Sequence, residues 1–341
     1  MTLVEKLVRA ASPSGREREA AQLLVSELAD RGFEAQLDPA GNAVGMIGQG
    51  GRQIYLVGHL DTVSGQIPVR LENETLYGRG SVDAKGALAA FVEAAAAFEN
   101  SSALKITVIG CVGEEASSPG ARYLLANHKI PDYVIIGEPS GWEAITLGYK
   151  GSLSLEYALE RPRHHRGMAQ PTPAEEVVSF YRALCAATPE LGTGFGSISI
   201  RLTDLNTGSA GSHESVSMKL NIRTPPGFNS DGFKMIAERL HGEAKMSWSE
   251  FTPAVLAAKR GPLVAAFLGA IRAPGGRPCF KYKTGTSDMN LLAAWGRPIL
   301  TYGPGDSSLD HTPEEHLELA EYRQAIAVLR GALGRLEEIE P

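Results

Sequence analysis

The chain has 341 residues, of which 21% are charged and 43% hydrophobic, with a formal net charge of −6. That length supports two domains with cores of their own, and the composition is that of a soluble globular protein. The negative balance argues against a general nucleic-acid binder but leaves room for a local basic patch.

The first helix is expected near Ser14, where Ser14-Gly15-Arg16-Glu17 matches a capping box and Ala20, Leu23, Leu24 and Leu28 supply an apolar face. Gly32 ends it. Short apolar strands follow at Ala43–Ile47, Ile54–Val57, Ile106–Ile109 and Tyr133–Ile136, separated by helices over about 85–98 and 120–127. Strands alternating with helices predict an α/β fold, a mostly parallel central sheet with helices on both faces. The pattern changes after Gly151. Leu153, Leu155, Tyr157 and Leu159 alternate with Ser152, Ser154, Glu156 and Ala158, the mark of a half-exposed strand. A helix over about 173–187, strands around 196–202 and 215–223 and a helix over 230–240 complete a small α+β set. The helix-and-loop pattern then returns. We therefore expect a discontinuous first domain, 1–151 and 252–341, interrupted by an inserted α+β domain over 152–251.

Cys111, Cys185 and Cys279 are far apart and odd in number, so there is neither a disulfide framework nor a thiolate zinc knuckle. A reducing cytoplasm fits that usage. The first residues lack a signal-peptide pattern, and no apolar stretch nears the ~20 residues of a membrane span, so no membrane partner is expected. Gly48-Gln49-Gly50-Gly51 is a turn rather than a nucleotide fingerprint.

Five polar clusters sit at or near the ends of these strands: Gly58-His59-Leu60-Asp61, Ser81-Val82-Asp83, Gly113-Glu114-Glu115, Gly137-Glu138-Pro139 and Asp310-His311-Thr312. Carboxyl ends of strands are where open α/β sheets build sites. Two His and several carboxylates suit two borderline-hard metal ions such as Zn²⁺. His59 and Asp61 flank one residue, so on extended chain they point the same way, and Asp61 is the candidate to orient the ring. Asp83 precedes a helix, where Asp is a favoured N-cap; as a ligand it would bridge two metals through its two oxygens. In a turn, Glu114 and Glu115 can approach one site, one binding metal and the other shuttling protons. Glu138 ends an apolar strand and needs a partner there.

Taken together and in this order, from Ser12-Pro13-Ser14-Gly15 to His311, the clusters resemble the M20 metallopeptidase and amidohydrolase family. The resemblance implies a zinc-peptidase-like catalytic domain and an inserted lid and dimerisation domain, hence a homodimer. It implies two Zn²⁺ per subunit, with Co²⁺ as an alternative. One metal would be held by His59, Asp83 and Glu138, the other by Asp83, Glu115 and His311. Glu114 would be the general base, Asp61 would orient His59, and the Asp83–Ala84 peptide would be cis. The family's lid His corresponds to His164 or His165, with His164 favoured by spacing, although Glu160 stands where the family has Gly. Arg223, in Asn221-Ile222-Arg223-Thr224-Pro225-Pro226, matches an Arg that holds the substrate carboxylate. Gly285, Thr286 and Ser287, in Thr284-Gly285-Thr286-Ser287-Asp288, match a loop lining the substrate cleft. The family's Asn-Val-Ile-Pro segment is not recognisable in 209–215.

Within the family, His59–Val69, Leu76–Gly86 and Pro171–Glu176 resemble the hydrolases that release lysine or ornithine from an amino-group carrier protein. This implies cleavage of the amide between lysine's α-amino group and the carrier's C-terminal glutamyl side chain. The carrier is small and acidic, and Arg161, Arg163, His164, His165 and Arg166 form a basic cluster that could dock it. The alternatives are a deacetylase of free N-acetyl-ornithine or N-acetyl-lysine, a dipeptidase with the same site, and a non-enzymatic relative.

Overall fold

In a computed structural model, which describes residues 1–165, 167 and 169–339, the chain forms two compact units. The first comprises Met1–Gly148, Ala257–Tyr282 and the chain from Ser287 onward; the second comprises Tyr149–Leu256 and Lys283–Thr286. Sequence reasoning left Lys283–Thr286 in the larger domain.

The first unit is built on a central sheet. Its order runs Glu34–Leu37, Ala43–Ile47, Leu104–Cys111, Arg52–His59, Tyr133–Gly137, Ile299–Thr301, Ala144–Tyr149. Successive pairs among the four strands from Leu104–Cys111 to Ile299–Thr301 are parallel, and the flanking strands join antiparallel. Both faces are covered, as the apolar runs predict. On one, a Cβ added at Gly58 would meet Leu88 of the helix Lys85–Ala95 at 3.2 Å. On the other, Tyr55 packs edge-on against Trp295 and His128. The helix Lys85–Ala95 buries every residue except Glu93, because its alanines let it lie close to the sheet and to the helices Leu3–Arg9 and Leu319–Glu337.

Three readings of the sequence are corrected. A helix, Leu3–Arg9, capped by the Thr2 hydroxyl, precedes the one expected first. That next helix runs Arg18–Ala29, and Ser14-Gly15-Arg16-Glu17 is not its capping box: Glu17 accepts from Gly15 N, while the Ser14 hydroxyl turns to Asp61. Asp83 does not cap its helix either, since the N-cap position belongs to Ala84.

The second unit is a four-stranded antiparallel sheet in the order Ser199–Ala210, His213–Thr224, Gly151–Pro162, Lys245–Trp248. Leu153, Leu155, Tyr157 and Leu159 face inward as their alternation requires, and Phe180, Leu184, Phe233 and Ala237 from two helices complete the core. The helix Pro173–Ala187 opens with a reciprocal capping box between Thr172 and Glu175. The helix Ser230–Leu240 is capped by Asn229. The first two strands form a hairpin much longer than the sequence suggests. Beyond Ile200 the outer strand is exposed, so it carries no hydrophobic alternation. No helix among the described residues is long and apolar enough to cross a membrane.

Candidate metal centre

Three adjacent strands carry glycine at matching positions: Gly58 pairs with Gly110 on one side and Gly137 on the other. A Cβ at Gly110 would stand 2.7 Å from Leu24, and one at Gly137 would stand 2.8 Å from Phe91. This row lets the helices approach the sheet closely. His59 and Glu138 come immediately after it, on neighbouring strands, so both enter one space at the sheet's carboxyl edge. Glu114 and Glu115 follow the third strand in a tight loop around Gly113. The Gly113 carbonyl accepts from Ala116 N and Ser118 N, and its φ of 72° and a Cβ only 2.6 Å from Pro119 require glycine. Asp83 arrives from the turn before the helix Lys85–Ala95, after which the peptide to Ala84 is cis. His311, at φ 63°, lies in the loop after the turn Ser307–Leu309.

These side chains converge as two sets joined by one carboxylate. His59 Nε2 lies 3.2 Å from Asp83 Oδ1 and 3.6 Å from Glu138 Oε1. His311 Nε2 lies 3.0 Å from Asp83 Oδ2 and 2.9 Å from Glu115 Oε1. Donor atoms of His59, Asp83 and Glu115 fall within 4.8 Å of one another. Asp83 thus turns one oxygen to each imidazole. Two nitrogen and three carboxylate donors, with one carboxylate shared, fit a pair of divalent cations of the Zn²⁺ class.

The electrostatics follow from crowding. Burial would push His59 down, but hydrogen bonds to Asp61 and Asp83 and the charges of Glu138 and Glu114 hold it well above its usual value. Hydrogen bonds to Asp83 and Glu115 lift His311 to about 10. Burial opposes ionisation of Asp83, yet the two imidazoles hold it well below the carboxylate range. Glu114 shows the reverse. Burial, with Glu138, Asp288 and Asp83 as anionic neighbours, raises it well above the usual range against the pull of His59. It belongs to neither His–carboxylate set.

Asp61 does more than its sequence position suggests. The acceptor nearest His59 Nδ1 is the Asp61 backbone oxygen at 2.9 Å, with Oδ1 at 3.5 Å. The carboxylate also accepts from Glu114 N at 2.9 Å, Glu115 N at 3.1 Å and the Ser14 hydroxyl at 2.7 Å.

In the second unit, Arg223 NH1 donates to Thr286 Oγ1 at 3.0 Å. Lys150 is buried, and that burial together with the positive charge of Arg223 pushes its ammonium below its ordinary value. Gly285 belongs to the same short segment as Thr286. Ser287 instead caps the helix Asp288–Leu292, with its hydroxyl accepting from Met289 N. His164 and His165 are exposed just past the strand Gly151–Pro162. The basic cluster is altered by the structure: Arg161 is buried and bonded to Glu176 and to the Pro171 carbonyl, so it cannot meet a partner, and Arg163 pairs with Glu214. Arg166 lies outside the described residues.

Sequence reasoning assigned no site role to Ser14, Asp288, Lys150 or Glu315. Asp288 is buried against Ser118 and Cys111, and burial raises it to about 6. Its only sequence signal is its place at the end of the Gly-Thr-Ser-Asp run. Glu315 carries no local sequence signal, because its partners Arg79, Val82 and Asp83 lie far away in the chain.

Residues 55–335 match the description "Peptidase family M20/M25/M40". A "[LysW]-lysine hydrolase" from Deinococcus radiodurans is 42% identical, covering 98% of this chain and 96% of its own. A "[LysW]-lysine/[LysW]-ornithine hydrolase" from Saccharolobus solfataricus is 31% identical, covering 91% and 88%. In fold, the chain is similar to an M20 family metallo-carboxypeptidase from Sulfolobus solfataricus, with a TM-score of 0.83 at 18% identity over 98% of both chains. The chain belongs to peptidase family M20/M25/M40 and is a metal-dependent hydrolase.

Proposed function

We propose that this enzyme hydrolyses the amide joining lysine, or alternatively ornithine, to the C-terminal glutamyl side chain of a small acidic amino-group carrier protein, in amino-acid biosynthesis in the cytoplasm. The observation that carries the hydrolytic part is the placement of His59 and His311 on opposite oxygens of Asp83, with Glu114 left outside both sets. The relatives named as acting on LysW conjugates support the choice of substrate.

In this reading His59, Asp83 and Glu138 would hold one Zn²⁺ or Co²⁺, and Asp83, Glu115 and His311 would hold the other. Metal bound there would supply the positive charge that acidifies a water and polarises the scissile carbonyl. Glu114, which belongs to neither metal set, takes a proton from the attacking water. The hydroxide adds to the carbonyl carbon, the C–N bond breaks, and Glu114 returns the proton to the departing nitrogen. The products are the carrier with its C-terminal glutamyl side-chain carboxylate restored and the amino acid with a free α-amino group. Arg223 grips the carboxylate of the amino acid being released, and is fixed by Thr286, which Gly285 and Ser287 flank in sequence. His164, exposed beyond its strand, serves as the oxyanion donor, supplied across a homodimer. His165 bonds to Gly167 N and is less suited. Docking of the acidic carrier falls to Arg163, His164 and His165.

The test is amine release by metal-loaded enzyme from a carrier ending in glutamyl-lysine, with Glu114→Gln and free N-acetyl-lysine as controls. Rapid release from the carrier, lost in the variant and slow on the acetyl compound, is expected. Comparable or faster cleavage of N-acetyl-lysine would make this a small-molecule deacylase instead.

A further inference from the structure

Glu315 lies four residues beyond His311, and its side chain is wholly buried. Oε1 accepts from Val82 N at 3.0 Å and from Asp83 N at 3.1 Å, and Oε2 accepts from Arg79 NH1 at 2.8 Å. Gly78 N also donates to the Glu315 backbone oxygen at 3.3 Å. One carboxylate therefore closes the turn 79–83 around itself. A buried carboxylate is costly unless its lone pairs are answered, and here they are answered by the turn that ends in Asp83.

The segment carrying Glu315 is fixed on its far side as well. His316–Glu318 pairs antiparallel with Thr75–Tyr77, and Leu317 is buried where a Cβ on Gly86 would meet it at 2.9 Å. His311 and Asp83 are remote in sequence, yet their side chains must meet within 3.0 Å. His311 is itself the more exposed imidazole and has no strand behind it, whereas His59 ends a buried strand. Its position depends on how its loop is fastened, and Glu315 is the fastening nearest to it that reaches Asp83.

We propose that Glu315 is a positioning residue that locks the His311 loop to the Asp83 turn and so sets the geometry of the second metal pair. It touches neither metal nor substrate; it acts through the main chain of Asp83. The inference rests on the reading that Asp83, Glu115 and His311 hold a metal ion. Removing the carboxylate loosens Asp83 Oδ2 relative to His311 more than Asp83 Oδ1 relative to His59, because His59 is fixed at the end of a buried strand and His311 sits in a loop.

The experiment is calorimetric titration of metal-free full-length protein with Co²⁺, with bound metal counted after gel filtration, for wild type, Glu315→Ala, Glu315→Gln and Glu318→Gln. Glu318 is the control: it accepts from the Thr75 hydroxyl on the same strand pair and makes no bond to the Asp83 turn. We expect wild type to bind two ions, Glu315→Ala to weaken the second at least tenfold with the first little changed, and Glu318→Gln to match wild type. Glu315→Gln keeps one acceptor oxygen for Val82 and Asp83 and falls between. Two ions bound with wild-type affinities by a folded Glu315→Ala would overturn the proposal, as would equal weakening in Glu318→Gln. If Glu315→Ala does not fold, unchanged affinities in Glu315→Gln overturn it. Wild type binding fewer than two ions would instead sink the two-metal reading.

Discussion

The Asp61 carboxylate holds the backbone N–H of Glu114 at 2.9 Å, so the residue beside His59 also fixes the loop that presents the proposed general base. Three donors converge on this buried carboxylate besides the His59 ring: Glu114 N, Glu115 N and the Ser14 hydroxyl. Burial pushes Asp61 up, but the His59 ring first, then the Ser14 hydroxyl and the Glu115 N–H, bring it below its ordinary value. Asp61→Asn puts an amide N–H where an acceptor is needed. It should destabilise the fold by about 3 kcal/mol, the cost of breaking a buried charged network, and lower kcat at least about tenfold because Glu114 moves. Ser14→Ala removes one of the three donors and should cost about 1.5 kcal/mol. Urea denaturation and steady-state kinetics of both variants check this, and an Asp61→Asn enzyme with wild-type kcat would free Glu114 from Asp61.

The glycine row predicts a packing effect that reaches the site. Gly137→Ala puts a methyl 2.8 Å from the Phe91 ring, one residue before Glu138. Overpacking of this kind costs about 1–3 kcal/mol. Phe91→Leu in the same chain should return part of that loss by making room, giving a non-additive double-mutant cycle. Thermal unfolding of the three variants measures it; strict additivity would show that the ring and the glycine do not share the space.

How far the sequence revealed all this depends on what each residue responds to. Strands with apolar runs, such as Arg52–His59 and Leu104–Cys111, announce themselves because burial selects their composition. The outer strand Ser199–Ala210 is exposed along most of its length and gives no such signal. The positions of His59, Asp83, Glu115, Glu138 and His311 were legible because their order resembles a family pattern, and the structure brings all five together. Ser14 misled, because a Ser three residues before a Glu signals a helix start only when nothing else claims its hydroxyl, and here Asp61 does. Glu315 and Lys150 were silent for a related reason: their partners lie far away in the chain, and local pattern does not encode such pairings.

Glu27 gives a prediction about pH. Its carboxylate accepts from Lys6 Nζ at 2.6 Å and Arg31 NH1 at 2.8 Å, joining the helices Leu3–Arg9 and Arg18–Ala29. Burial opposes the charge, but Lys6 and Arg31 prevail and lower Glu27 from 4.5. The unfolded chain therefore binds the proton more readily than the folded one. Glu27's contribution to stability is full above about pH 4.5 and is lost as pH falls through the lower folded value. Glu27→Gln should be less stable than wild type by about 1–2 kcal/mol at pH 7, and the gap should close as the pH is taken toward 3. Denaturation curves across that range test it; a gap independent of pH would mean that packing rather than charge distinguishes the two.

Arg223 offers the sharpest test of substrate binding. It stands opposite Ser152 in the strand register, is steadied by Thr286 Oγ1 at 3.0 Å, and shares its surroundings with buried Lys150. Two cations that crowd each other gain from an anion placed between them, and a guanidinium can take a carboxylate with two parallel bonds where an ammonium cannot. Arg223→Lys keeps the charge and loses the fork. KM for the glutamyl-lysine substrate should then rise about tenfold, the worth of roughly one charge-assisted bond, while kcat changes less. Thr286→Val leaves the guanidinium in place but unsteadied, so its effect on KM should be smaller in the same direction. Kinetics on substrate carrying a free lysine carboxylate and on its amide separate the cases. If Arg223 grips that carboxylate, amidation should cost wild type much and Arg223→Lys little; equal losses in both would place the substrate carboxylate elsewhere.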